Sequence, residues 1–458
     1  MPLNSISPID GRYEKYTTQL APYFSEAGFM RYRVAVEGEY LIALSELDIK
    51  LRKITAEEKK IIRSLYDLTE ADAQMISDIE IKGYKSIKAT DHDTKAVEYF
   101  IKERLTETSL KDVLEWIHFG LTSEDTINIA YALMISDSLD KVFVPKINDV
   151  LTELESFAKK YKDLPMLART HGQSASPTTF GKEISVFTVR LKRRLESLAS
   201  IKIQAKLNGA TGNYNAHVVA FPEADWIKFS EKFIESFNKD RSQKLEVNLI
   251  TTQIECHDSY VAVFDTIRGI NTILLDLNQD IWRYISDDWI VQKPIGDVGS
   301  STMPHKINPI KFENSEGNLG LANALFEFFG RKLPISRLQR DLSDSTVSRN
   351  IGTAFAHSLI AYEYLLKGLG SIKVNEGKVR EALEDHIEVI AEAIQTILRR
   401  EGAEFPYEQL KTLTRGKKVT REDFDTFINS LSVSDEVKKE LIRITPLNYT
   451  GLASKLVK

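Results

Sequence analysis

Apolar residues recur along much of the chain at the three- and four-residue spacing that lines one face of an α-helix. Ile184, Phe187, Leu191, Leu195 and Leu198 form one such stripe. Phe264, Ile267, Ile270, Leu274, Leu277, Ile281 and Ile285 form another. The second stripe sits in residues 253–289, which hold one glycine, Gly269, and no proline. That predicts a helix of roughly 35 residues, about 50 Å long at a rise of 1.5 Å per residue. A helix of that length outruns most single domains and points to a long bundle shared between subunits. Strand-type alternation is scarce, and only residues 213–221 leave strand and loop both open. The predicted fold class is all-α.

A chain of 458 residues is too long for one ordinary core. The reading places an N-terminal helical segment at 1–113, with loops at Gly11 and Gly83, and a central helical bundle at 114–369. After GLGSIKVNEG (368–377) a C-terminal segment, 370–458, resumes as shorter, more charged helices with turns at Pro406 and Pro446.

Composition narrows the function mainly by exclusion. A net charge of −5 provides no global field toward nucleic acid or anionic membrane, so an anionic small substrate would need local cations. The single cysteine, Cys256, excludes an intramolecular disulfide and a cysteine-rich zinc site. The first residues, MPLNSISPIDGRY, lack the basic and apolar regions of a leader. No apolar run approaches the ~18 residues of a membrane span. A cytoplasmic protein is expected, with neither nucleic acid nor membrane as partner.

The most unusual stretch is GSSTMPHKINP (299–309). Residues 289–309 carry Gly296, Gly299, Pro294, Pro304 and Pro309 between two long helical patterns, and long loops there are uncommon unless functional. Glycines allow hinge motion and prolines stiffen what moves, as in a lid. Such a lid brings a hydroxyl, a cation and an amide onto a bound anion. An ordinary surface connection is the other reading. Neither serine has a lysine three residues on, and no Gly-x-Ser-x-Gly, His-Glu-x-x-His, Walker A or Gly-x-Gly-x-x-Gly pattern occurs.

Four further stretches carry reactive residue types. ARTHGQ (168–173) sets His171 among small polar neighbours at an expected loop-to-helix junction, and an imidazole suits proton transfer near neutral pH. ATDHDTKAVEYF (89–100) places His92 between Asp91 and Asp93 at a helix start. An N-capping aspartate explains one acid but not the histidine. HFGLTSEDT (118–126) reads as a helix N-terminus beginning with Thr122 and Ser123. QRDLSDSTVSRN (339–350) offers Arg340, Ser345, Thr346 and Arg349, which suit a phosphate or, alternatively, a solvated helix cap.

Together these residues resemble a known group. GSSTMPHKINP is similar to the Gly-Ser-Ser-x-Met-Pro-x-Lys-x-Asn-Pro signature of the fumarase/aspartase superfamily. SPIDGRY, TDHD, HFGLTSED, RTHGQ, NGATGNYNAH, TTQIE, FENSEGNLGLAN and QRDLSDSTVSRN look like its adenylosuccinate lyase family, in bacterial form. The resemblance covers essentially the whole chain. It implies cleavage of adenylosuccinate to AMP and fumarate, and of SAICAR to AICAR and fumarate. It also implies no metal or organic cofactor, and a homotetramer whose active sites draw on three subunits. By match to the family's motifs, Ser300 is the base and His171 the general acid. Lys306, Asn308, Thr122 and Ser123 hold the succinyl carboxylates. Arg12, Tyr13, Arg340, Ser345 and Arg349 bind the nucleotide end. His92 orients substrate, and Gln253 and Asn314 contact the base or succinyl group. Asp91, Asp93, Ser301 and Thr346 complete the substrate-binding set.

The sequence departs from the family pattern at Asp91, where an amide or small residue is expected, at Thr94, where valine is expected, and at Ser174 and Ser176. An extra carboxylate at position 91 would repel an anionic substrate unless it points away. Two rival readings stand: another lyase of the superfamily, acting for example on argininosuccinate, and a helical scaffold without catalysis. The arginines of 340–349 favour a phosphorylated substrate, and intact His171 and Ser300 argue against a scaffold.

Overall fold

The periodic stretches are helical in the structure, a computed structural model that describes residues 3–293, 303, 305–416 and 419–458. The elements that matter for the site are α1 (Glu26–Leu44), α2 (Asp93–Leu105), α3 (Ser123–Ser138) and α4 (Val144–Lys160). An antiparallel hairpin follows, β1 (Pro165–Thr170) with β2 (Gln173–Thr179), then α5 (Phe180–Ser200). The remaining long helices are α6 (Asp258–Ser286), α7 (Ile310–Lys332) and, after the short α8 (Ser343–Ser348), α9 (Ile351–Leu369). Strands are few and short, and the described part of the chain is mostly α. No described helix is long and apolar enough to cross a membrane.

Local sequence explains several element ends. Ser25 caps α1 by accepting from the Gly28 N–H at 3.0 Å. A single π-helical turn, Leu139–Phe143, separates α3 from α4. Pro145 follows it and has no N–H for a regular helical bond, so the widened turn takes up the mismatch. Nearly every residue of α3 is buried. A helix covered on all sides lies inside its unit rather than on its surface.

The chain divides into two compact units, each assembled from separated stretches. One comprises residues 1–147, 194–272 and 317–363; the other comprises 148–193, 273–316 and 364–458. In the first, Phe143, Phe264, Phe326, Phe329 and Phe355 form an aromatic core, with ring centroids 4.8 Å apart for Phe143–Phe355 and 5.4 Å for Phe264–Phe326. In the second, Phe157, Tyr161, Phe180, Tyr284 and Trp289 do the same, at 5.0 Å for Phe157–Tyr161 and 5.5 Å for Phe180–Tyr284.

Three local expectations are corrected. The helix predicted over residues 253–289 is α6, with 29 residues and a length of about 43 Å. It starts late because His257 is left-handed, with φ of 62°, and gives its N–H to the Glu255 carboxylate at 2.7 Å. It stops early as Asp288 turns left-handed, with φ of 58°. Residues 213–221 are neither strand nor plain loop: Tyr214 is left-handed, and a short helix, Asn215–Ala220, follows. His171 does not mark a loop-to-helix junction. It forms the tip of the β1–β2 hairpin with Gly172, at φ of 52° and 74°. Two successive left-handed residues match the twist of a two-residue hairpin turn.

Candidate active site

In the first unit the structure gathers four sequence stretches that the motifs singled out. His92 itself caps α2: its Nδ1 accepts from the Lys95 N–H at 3.2 Å. That assigns the ring proton to Nε2, which lies 3.3 Å from the Ser123 hydroxyl. The cap is therefore the histidine, not a neighbouring aspartate. Asp93, the next residue, faces inward. Its Oδ2 lies 2.9 Å from Arg33 and 2.8 Å from Arg349. Burial raises its pKa, but Arg33, the Thr94 N–H and Arg349 outweigh burial and hold the carboxyl below its ordinary value. Asp91 is exposed on a left-handed turn with φ of 47°. The carboxylate found near the His92 ring is that of Asp93, at 4.0 Å.

The TSED stretch opens α3, and its two acids have separate tasks. Asp125 accepts from the Thr122 N–H at 2.9 Å and from the Asn208 N–H at 3.1 Å, and it pairs with Lys206 at 3.0 Å, both side chains fully buried. Lys206 also donates to the Gly209 carbonyl at 2.8 Å. This pair fastens the NGATG loop beneath Thr122 and Ser123. Glu124 is 1% exposed and sits 3.1 Å from an Arg340 nitrogen. Burial pushes its pKa up to about 8, against the pull of Arg340.

Arg340 also reaches the Gln253 side-chain oxygen at 3.4 Å, while Gln253 donates to the Ala210 carbonyl at 3.0 Å. Arg349 is placed differently. Its guanidinium binds both Glu26 oxygens, at 2.7 and 2.8 Å, as well as Asp93, and it borders a cavity of about 670 Å³ lined also by Ser5, Ser7, Asp10 and Thr353. Arg12 is exposed and Tyr13 half-buried on the turn before the first short helix. Ser345 and Thr346 lie on α8, half-buried and exposed respectively.

In the second unit His171 is exposed at its hairpin tip. The second strand of the hairpin is held midway by Ser176, whose hydroxyl donates to Glu392; Glu392 accepts also from Tyr449 at 3.1 Å. The serine that departs from the family pattern thus has a structural partner. Lys306 is exposed, Asn308 is half-buried, and Asn314 lies near the start of α7. Ser300 and Ser301 lie outside the described residues.

Comparison with known proteins decides the family. A lyase family model matches residues 11–323, and an adenylosuccinate lyase C-terminal model matches residues 336–450. An adenylosuccinate lyase of Dictyostelium discoideum is 50% identical, covering 98% of this chain and 97% of its own. The chain belongs to the adenylosuccinate lyase family. Its bacterial members include that of Legionella pneumophila strain Corby, 48% identical over 100% of this chain and 98% of its own, and that of Escherichia coli K12, 44% identical over 99% and 98%. A solved fumarate lyase from Mesorhizobium sp. BNC1 superposes with a TM-score of 0.73 over 96% of both chains at 18% identity, a likeness of fold.

The motifs did not reveal Glu26, Arg33, Glu124, Lys206, His257 or Asp344 as parts of this region. Glu124 and Asp344 read as ordinary acids in the first turn of a helix. Only folding sets them against charged partners.

Proposed function

We propose that the protein eliminates fumarate from adenylosuccinate, leaving AMP, and from SAICAR, leaving AICAR. Support comes from the full-length kinship and, in the structure, from the convergence of His92, Ser123, Gln253 and Arg340 in one unit. In the proposed mechanism Ser300 removes a proton from the carbon beside one succinyl carboxylate. Its electron pair forms the new C=C bond, and the C–N bond breaks toward nitrogen, which takes a proton from His171. Negative charge passes through the carboxylate as the proton leaves, so Lys306, Asn308, Thr122 and Ser123 bind it there. Proton transfer by placed groups contributes about 10²–10⁴-fold, and each donor on developing charge about 10²–10³-fold. Arg12, Tyr13, Arg340, Ser345, Thr346 and Arg349 bind the nucleotide end, with the phosphate directed chiefly to the arginines. The working assembly is a homotetramer with shared sites, acting in the cytoplasm.

The test is steady-state turnover of adenylosuccinate by the full-length protein, followed by its ultraviolet spectrum and by fumarate release. Argininosuccinate and aspartate run in parallel. Turnover confined to the phosphorylated substrates is expected. Turnover of a phosphate-free compound alone would assign the chain to another branch of the superfamily.

A further inference from the structure

Behind Arg340 lies a group of side chains that the elimination does not use. Glu124, His257 and Asp344 come from three separate stretches and are 1%, 3% and 5% exposed. Each offers a ligating atom within 4.8 Å of the other two. The group is short of donors. Glu124 Oε2, His257 Nδ1 and Asp344 Oδ1 are buried and accept no aligned hydrogen bond among the described residues, and Glu124 Oε2 has only the Arg340 guanidinium beside it, 3.1 Å away. His257 also hydrogen-bonds the Leu333 backbone, which raises its pKa and therefore engages a carbonyl through Nε2–H. Its Nδ1 is then a bare, buried acceptor. Arg340 stands at one edge of the group, on Glu124; His257 Nδ1 and Asp344 Oδ1 have no donor among the described residues, which costs free energy that one proton in the group lowers. Burial lowers the proton affinity of His257 and raises that of Glu124, which places the proton on the Glu124 carboxyl at neutral pH.

Glu124 also faces the site, because the same Oε2 lies 3.1 Å from Arg340 Nη2. We propose that Glu124 is a positioning residue for Arg340: protonated, it leaves the guanidinium charge to the substrate phosphate, and ionised, it holds Arg340 to itself. This rests on the reading of Arg340 as a phosphate ligand. Arg340, Asp344, Lys206 and Asp125 act on Glu124, while Glu255, Asp344 and Asp258 act on His257. Lys206 and Asp125 pair with each other at 3.0 Å, and Glu255 is held by Asn248 at 3.0 Å. The charges that weigh most on Glu124 are therefore those of Arg340 and Asp344. A phosphate dianion arriving at Arg340 disfavours a carboxylate beside it, so binding takes up a proton.

The experiment is calorimetric binding of AMP to the full-length protein near pH 8, in two buffers of different ionisation enthalpy, alongside KM for adenylosuccinate across neutral to alkaline pH. The parent is expected to take up a proton on binding. Its KM should climb above about pH 8, by at most about tenfold per pH unit for one linked proton. Glu124→Gln is expected to abolish the uptake and flatten KM. Asp344→Asn, which removes a negative neighbour and so eases ionisation of Glu124, is expected to move the climb to lower pH. A parent that exchanges no proton, or a Glu124→Gln variant that keeps the climb, overturns the inference. So does Mn²⁺ or Zn²⁺ binding that the parent shows and Glu124→Gln loses, because a cation would then fill the place given to the proton. Arg340→Gln separates the two readings. If it binds AMP as tightly as the parent, the phosphate role of Arg340 fails. If it weakens AMP more than tenfold while Glu124→Gln changes nothing, only the role of Glu124 fails.

Discussion

Arg340 and Arg349 look equivalent in the sequence, and their surroundings separate them. Arg349 is bound by Glu26 and Asp93. Among the described residues Arg340 pairs with one acidic side chain, Glu124, whose pKa burial raises above its ordinary range. Arg340→Gln is expected to raise KM for adenylosuccinate by roughly 10- to 100-fold with a smaller effect on kcat, since a hydrogen bond to a charged group contributes ~1.5–3 kcal/mol. Initial-rate kinetics check it. Lys206→Met leaves Asp125 charged and buried without its partner, at a cost of ~3–5 kcal/mol; urea unfolding measures this. Asp93 gives a pH dependence whose sign is fixed. Its folded pKa lies below the unfolded value, so its contribution to stability is present above the ordinary aspartate range and is lost as pH falls through the folded pKa. Asp93→Asn is expected to flatten the acid limb of a Tm-against-pH curve. At this scale the sequence displayed the reactive residues but not their partners. Glu124 and Asp125 are adjacent acids in one helical turn, and nothing local says that one meets Lys206 and the other Arg340.

Helices were legible because their apolar period runs over many residues; their ends were not, because ends depend on a few hydrogen bonds. α6 loses its expected first turn to the Glu255 carboxylate and its last to a left-handed Asp288. The β1–β2 hairpin was missed because its strands are short and its apolar positions few, so pairing rather than pattern defines it. Two glycines test this account of loops. A Cβ on Gly212, at φ of 78°, would lie 2.2 Å from the Thr251 carbonyl oxygen, while one on Gly172, at φ of 74°, meets nothing within 4 Å. Both substitutions incur the left-handed penalty of roughly 1–2 kcal/mol. Gly212→Ala is expected to add displacement of the loop beside Gln253, so its Tm should fall well below that of Gly172→Ala.

For the whole molecule, length and periodicity suggested a bundle shared between subunits. The long helices leave Val186, Val189, Trp282, Leu321 and Phe328 exposed in the single chain, and apolar side chains on long helices suit burial against other copies. Light scattering is expected to give four times the chain mass. A monomer with full activity would contradict the shared-site proposal. The family was legible because its motifs are spread over nearly the whole chain, so that no single loop had to carry the assignment.

The most direct measurement of the central claim is adenylosuccinate turnover by the parent, Ser300→Ala and His171→Ala, with AMP affinity measured on each. The account predicts loss of turnover by about 10²-fold or more in both variants, with AMP bound nearly as in the parent. Turnover that survives Ser300→Ala would remove that serine as the base, and survival of both substitutions would contradict the proposed acid–base pair.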